Sequence, residues 1–503
     1  MRSARSGRPA FGVAMGFLAG ALAVGLLVPY VRTAPEETAL TSTGPASLGD
    51  AVADSGPSVG EALEDPTAGG EASATGDGGP LDAGGDGGGA VDPAAGGDGG
   101  PTAPAAPAAG RTVGLTDTEI RIGIGLTDVG AAKDFGASFD LGNQRARWEA
   151  LIEDVNARGG IHGRKIVPDF RTVDAVNAPV ETAQAACVAW VEDVKVFAAF
   201  FASNLSAAPL VCLTGQGQTL TFTSDGFEEG YYGSGLLFTT YASENRHLRD
   251  HVRYLEQKGL LKGKRIGILA LEGAERLAVD NTMVPMLQDL GHEVRHIESL
   301  PMNTSALQRI PVSVSNFKAA GVDFIIMAGH IVLAGPFAQS AARSNYTPEF
   351  AISDFNRQIN DQMAQYYPDS FDGTIALSVS RFPEYRAGGA FAPADQRCLD
   401  RVHPVDKKVL PPTASAFEVA MYECGIFDLF VAAAEAAGPQ LSQEAFVAAA
   451  EQLGTIAVPG ALDGSIGPGK HHAVDFEREV VWRKSCKCWQ LAGGPGTPTR
   501  RLE

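Results

Sequence analysis

The chain has 503 residues, 45% of them apolar, with a formal net charge of −19. An acidic chain without a Lys/Arg run repels phosphate backbones, which excludes nucleic-acid binding. The charge is uneven. Residues 34–110 hold 13 acids and no Lys or Arg, residues 1–33 hold four Arg, and residues 111–503 carry 36 basic against 46 acidic groups. That last stretch, about 390 residues, is enough for two cored domains and too long for one.

Arg2, Arg5 and Arg8 precede Ala10–Val31, a run of 22 residues without a charge. At a rise of about 1.5 Å per residue such a run spans the hydrocarbon of a bilayer. The arginines hold the short N-terminal end in the cytoplasm, so the rest of the chain is expected outside it. A cleaved signal peptide is the rival. The length of the run and the Arg32 and Pro35 around the best cleavage site at Ala34 favour an uncleaved, single-pass anchor. Residues 34–110 then hold 19 Gly, 18 Ala and 9 Pro without one aromatic residue. They cannot bury enough apolar surface to offset ordering entropy, and the stretch is expected to be a disordered linker.

From Ile120 the pattern changes. Apolar, β-rich runs at 120–126, 165–173, 196–201, 219–224, 236–241, 265–271, 293–300, 324–329, 349–354 and 374–380 alternate with segments of helical period. In 141–158, Trp148, Leu151, Ile152 and Val155 fall at i, i+3, i+4 and i+7, and Gly159-Gly160 supplies the stop. Such alternation predicts parallel sheets covered by helices on both faces. Arg121-Ile-Gly-Ile124 and Arg265-Ile-Gly-Ile268 open two similar series, so the expected fold class is α/β with two lobes.

Leu115-Thr-Asp-Thr-Glu-Ile-Arg-Ile-Gly123 followed by Asn156-Ala-Arg-Gly-Gly-Ile-His-Gly-Arg-Lys165 resembles the opening of type I periplasmic solute-binding proteins. These are the branched-chain amino-acid class of receptors that feed ABC importers. The resemblance continues through Val196–Phe201 with its Ala202-Ser-Asn204 loop, through Val314-Ser-Asn-Phe-Lys-Ala-Ala-Gly-Val-Asp-Phe-Ile-Ile326, and into a helix at 417–437. It implies two Rossmann-like lobes joined by three crossing strands, near Leu236–Tyr241, Thr374–Arg381 and Gly464–Gly469. The implied organisation is a cytoplasmic stub and anchor at 1–33 and a linker at 34–110. Lobe 1 then comprises 111–238 and 375–463, and lobe 2 comprises 239–374, with 464–503 as its closing segment and tail.

Ligands in open α/β sheets bind beyond the carboxyl ends of the strands, where helix N-termini direct free N–H groups at them. The loops in that position are Thr127–Phe135, Ser203–Leu205, Thr223–Gly226, Glu272–Arg276, Gly329–Ile331 and Asp354–Asn356. They nominate Ser203, Asn204, Thr223, Ser224 and Asp225 on one lobe, and Tyr241, Glu272, His330 and Asp354 across the cleft. The hydroxyl and amide groups suit a ligand carboxylate and equally suit ordinary helix caps. The acids suit a ligand ammonium or plain solvent exposure. The resemblance raises Ser203, Asn204, Thr223 and Glu272 above the rest. The loops Thr127-Asp-Val-Gly-Ala-Ala and Leu271-Glu-Gly-Ala depart from the family pattern, lacking a Pro-rich turn and an aromatic residue.

No zinc-protease, phosphate-loop or nucleophile-elbow motif occurs, and Gly123-Ile-Gly125 lacks the rest of a dinucleotide turn. Those glycines are expected to serve close packing. His471 and His472 with Cys486 and Cys488 match no closed zinc motif, so neither metal nor cofactor is expected. Six cysteines outside the membrane fit a disulfide set with fifteen possible pairings. The resemblance implies Cys187 with Cys212. Cys398 with Cys424 is then the natural second pair, which leaves Cys486 and Cys488 near the upper limit of reach on one strand face.

The expected function is an extracytoplasmic receptor for a small polar solute, closing on its ligand and read by an ABC permease. A ligand-sensing ectodomain working through a membrane partner is the first alternative, and a secreted α/β enzyme the second.

Overall fold

The computed structural model describes residues 110–503, apart from 136–137, 204–206, 302–304, 330 and 360. The expected anchor and linker, and the candidates Asn204 and His330, lie outside the described residues. Among the described residues no helix is long and apolar enough to cross a membrane.

Strands β1 (Glu119–Asp128), β2 (Lys165–Asp174), β3 (Ala198–Phe201), β4 (Leu220–Thr223) and β5 (Leu237–Thr239) form one sheet. It is parallel throughout, in the order β2-β1-β3-β4-β5. A second sheet takes β6 (Ile266–Leu271), β7 (Val294–Leu300), β8 (Phe324–Ala328), β9 (Glu349–Ser353) and β10 (Ile375–Ser378) in the parallel order β10-β9-β8-β6-β7. Each of the ten apolar runs read from the sequence overlaps one of these strands, and β1 and β2 extend slightly beyond their runs. Beyond them, β11 (Gly454–Ile456) and β12 (Gly464–Ile466) make a two-stranded ribbon. An antiparallel extension of β13 (Phe476–Arg483), β14 (Cys488–Leu491) and β15 (Thr499–Arg501) pairs onto β10 through β13.

Side-chain period explains the covering helices. Asn143 caps the helix Gln144–Ala157, accepting from the Ala146 N–H at 3.1 Å, and Trp148, Leu151, Ile152 and Val155 are all buried against the first sheet. The two Arg-Ile-Gly-Ile segments share a steric reason for their glycine. A Cβ on Gly123 would sit 2.4 Å from the Trp190 ring, and one on Gly267 would sit 2.6 Å from the Phe317 ring. Each glycine lets an aromatic side chain lie flat on its sheet, so packing rather than nucleotide chemistry accounts for it.

On the other face of the first sheet, Phe200 and Phe222 stack with centroids 5.0 Å apart, and Phe222 and Phe238 at 5.4 Å. Phe430 and Phe446 meet this ladder edge-on. Phe430 belongs to the 22-residue helix Ser415–Ala436, and the same helix carries Glu423, which receives two hydrogen bonds from the fully buried Arg147 at 2.6 and 2.9 Å. Asp406 completes that buried ion cluster. Disulfides join Cys187 to Cys212, Cys398 to Cys424 and Cys486 to Cys488.

The chain passes between the two sheets three times. It leaves β5 through 240–243, returns at 379–381 after β10, and crosses again at 467–475 before β13. The end of β5 pairs with the third passage through Thr239 and His472, and Ser380 of the second passage pairs with Ala461. β10 belongs wholly to the second sheet, so the second passage falls after Ser378 and not at 375. The third falls a few residues later than the sequence suggests.

Candidate functional site

The carboxyl ends of β3 and β4 and the turn after β9 converge beside the first passage. At the end of β1, the backbone of Thr127 is held in both directions by the Gln144 amide, at 3.1 and 2.7 Å. The Thr127 hydroxyl faces that of Ser203 at 3.3 Å, just past β3. After β4, Thr223 is fully buried and its hydroxyl donates to Asp225 at 3.1 Å, so it orients that carboxylate from within. Ser224 donates its hydroxyl to the Ala202 carbonyl.

From the second sheet, Arg357 reaches this cluster. It closes the short turn Phe355–Arg357 after β9 with φ of +58°, a left-handed conformation uncommon for a residue with a side chain. The guanidinium pairs with Asp225 at 3.0 Å, donates to the Ser224 hydroxyl, and lies 3.3 Å from the Ala202 carbonyl. The Tyr422 ring lies 4.0 Å from it and the Tyr241 ring 5.8 Å. This stacking adds an electrostatic attraction to the ion pair. Tyr422 in turn donates to Glu418 at 2.6 Å.

Asp354 sits behind this contact. Its carboxylate accepts from the Ser378 hydroxyl at 2.8 Å and the Val379 N–H at 3.0 Å, and Tyr241 is a further hydrogen-bond partner. It therefore straps the first two passages together. Burial pushes its carboxyl up to about 6, against the lowering effect of these hydrogen bonds. On the second lobe, Glu275 opens the helix Ala274–Ala278. Burial, and then the charge of Asp225, push its carboxyl up to about 7 against a backbone hydrogen bond that lowers it.

The structure thus brings together Ser203, Thr223, Ser224, Asp225, Tyr241 and Asp354. Glu272 stands apart, half-exposed in an ion pair with Arg309 at 2.6 Å. Glu275, three residues on, is near enough to Asp225 to be raised by its charge. Arg357 is the residue that sequence reasoning missed; it lies one position beyond the nominated loop Asp354–Asn356. His471 bonds to Glu451 at 3.1 Å and stacks on Phe238, His472 packs on Tyr232, and Cys486 and Cys488 are joined to each other. No group of three or more His, Cys, Asp or Glu among the described residues is arranged for a metal ion.

The family model described as periplasmic binding protein matches residues 119–476. The chain belongs to the periplasmic binding protein family. Solved structures carry the same two-lobed type I fold. A possible leucine/isoleucine/valine-binding protein from Rhodopirellula baltica SH 1 is 16% identical, covers 77% of this chain and 97% of its own, and superimposes with a TM-score of 0.56. A fatty acid ABC transporter substrate-binding protein from Thermomonospora curvata is 17% identical over 78% of this chain and 93% of its own, with a TM-score of 0.55. An ABC transporter solute-binding protein from R. palustris in complex with 4-hydroxybenzoate is 13% identical over 74% and 95%, with a TM-score of 0.54. At these identities the likeness is one of fold. A search of curated protein sequences finds no match. Members of this family are ligand-binding receptors.

Proposed function

We propose that this chain is the extracytoplasmic solute receptor of an ABC importer, tethered to the membrane by Ala10–Val31 and working by closure of its lobes on a small ligand. Lobe 1 is formed by 111–238 with 375–463, and lobe 2 by 239–374 with 464–503, adjusted for β10. The observation that carries the reading is the inter-lobe contact of Arg357 with Ser224 and Asp225 at the carboxyl ends of the strands. A ligand that shifts such an equilibrium must touch both lobes, because only differential contacts favour the closed state. The ligand contacts assigned are Ser203, Asn204 and Ser224 on the first lobe, with Tyr241 and Arg357 across the cleft. Structures of the same fold carry leucine-type, fatty acid and 4-hydroxybenzoate descriptions, so the ligand class follows from the site and not from the fold.

Mass spectrometry of compounds released on denaturing the purified full chain identifies the ligand, and calorimetry with that compound measures it. A hydrogen bond to a charged ligand group contributes about 1.5–3 kcal/mol, so Ser203→Ala should weaken binding by roughly tenfold or more. Uptake of the released compound should fall in a deletion strain. Unchanged uptake would move the protein to the sensing alternative, and unchanged affinity in Ser203→Ala would place the pocket elsewhere. N-terminal sequencing of the membrane fraction should find Met1 or Arg2; a start near Ala34 would remove the anchor.

A further inference from the structure

We infer that Arg357 occupies, as part of the protein, the cation position of the cleft, so that the site takes a small monocarboxylic acid without an α-amino group. This rests on the receptor reading above and names its ligand class. A free amino acid brings an ammonium that needs an acid and a carboxylate that needs donors. The acid at the end of β4 is already used, since Asp225 is paired with the Arg357 guanidinium at 3.0 Å and held by the Thr223 hydroxyl. The aromatic surface suited to a cation is used as well, with Arg357 4.0 Å over Tyr422. Asp354 is turned to Ser378, Val379 and Tyr241, and Glu418 receives the Tyr422 hydroxyl. An incoming ammonium would have to displace a tethered cation from its own counter-charge, or lie beside it at the cost of like-charge repulsion.

The donor side is open. Arg357 Nε is buried and has no acceptor, while Nη2 carries the contacts to Ala202, Ser224 and Asp225. A buried charged N–H without a partner has lost its hydration without replacement, so an acceptor placed beside it is favoured. A carboxylate oxygen there would take the Nε hydrogen bond, beside the Ala202 carbonyl and Ser224 hydroxyl that Nη2 already contacts. The left-handed backbone of Arg357 is consistent with a residue held for this purpose, since such conformations persist where the surroundings over-determine them. Burial, and then the charge of Asp225, raise the Glu275 carboxyl to about 7, which disfavours its charged form as a counter-ion.

Matched pairs of probes test this on the full chain by calorimetry: 4-methylpentanoate against L-leucine, and 3-phenylpropanoate against L-phenylalanine. Each pair differs only in the amino group. At least one acid should bind, tenfold or more tighter than its amino acid, and Arg357→Gln should weaken that acid by tenfold or more while melting within a few degrees of the parent. An amino acid that binds as tightly as its acid, failure of all four probes to bind, or undiminished acid binding by Arg357→Gln overturns the assignment. The probe comparison needs only the parent protein, so an unstable variant does not spoil it. The receptor reading fails separately, if denaturation of the purified chain releases no small molecule and its deletion alters no solute uptake.

Discussion

The two lobes bury different chemistry behind sheets of the same design. Behind the first sheet, Phe200, Phe222, Phe238, Phe430 and Phe446 form a dry aromatic stack in which each ring touches at least two others. In the second lobe the helix Glu244–Gln257 buries His247, Asp250, His251 and Tyr254 next to Glu477 of β13. Arg500 lies 3.3 Å from Asp250 and 3.0 Å from Glu477. Both nitrogens of His247 and Nδ1 of His251 are buried without partners. Apart from the buried Arg147–Glu423–Asp406 cluster, the first lobe's core is held by close packing, which is insensitive to pH. The second carries buried ionisable groups whose cost depends on protonation. Tyr241 touches His247 with ring centroids 5.4 Å apart, so the titrating seam begins directly behind the cleft.

Truncation of the aromatic stack should have the largest effect. Phe222→Ala removes the central ring and should cost about 3–5 kcal/mol in urea unfolding, as large-to-small changes in packed cores do. A cost below about 1 kcal/mol would mean the stack is not close-packed. Arg147→Met leaves Glu423 and Asp406 buried without their counter-charge, and should cost a similar or slightly smaller amount, about 3–5 kcal/mol for a broken buried pair.

The second lobe should show itself through pH. Burial, and then the charges of Arg246 and Arg500, hold His247 and His251 down at about 3. An unfolded histidine titrates near about 6.5, so between those limits the unfolded chain binds more protons and stability rises with pH. Thermal melts should therefore fall as pH drops from about 6.5 towards 4, and His251→Leu should flatten that limb. A midpoint independent of pH over this range would remove the buried neutral histidines from the account. Glu477 behaves in the opposite sense. Burial, and then its hydrogen bond and repulsion with the Asp250 carboxyl, raise it well above its usual value. Its stabilising contribution is present at low pH and is lost as pH rises through that raised value. Glu477→Gln, which resembles the protonated form, should gain a little stability at pH 8 relative to the parent, and a loss there would contradict the assignment. The smallest effect is on binding. A carboxylate entering beside Glu275 and Asp354 raises their affinity for protons, so an acid ligand should bind tighter at pH 6 than at pH 8 by a few-fold. The opposite slope is expected of a ligand that places an ammonium on Glu275.

The sequence made the parallel sheets and the helix Gln144–Ala157 readable because their apolar periods are undisturbed. β13 was hidden because Glu477 and Arg478, both buried, interrupt its apolar pattern with charges that only their tertiary partners satisfy. β11, β12, β14 and β15 have three or four residues each, too short for a period to declare itself. Within the cleft, position after a strand identified Ser224, Asp225, Tyr241 and Asp354. It could not say that Thr223 and Asp354 spend their hydrogen bonds on the protein, nor that Glu272 turns to Arg309. Arg357 was invisible for a physical reason: its role comes from a left-handed backbone that aims the side chain across the cleft, and nothing in Asp354-Phe-Asn-Arg357 encodes that direction.

Energy transfer between dyes on the two lobes tests the central claim most directly. Val211 and Leu277 are 55% and 50% exposed and follow strands of the first and second sheets, so non-cysteine labels there leave the three disulfides intact. Adding the compound released on denaturation should raise the transfer efficiency of the full chain, with the same midpoint as the calorimetric titration. An efficiency that stays constant through saturation would contradict closure of the lobes on a ligand.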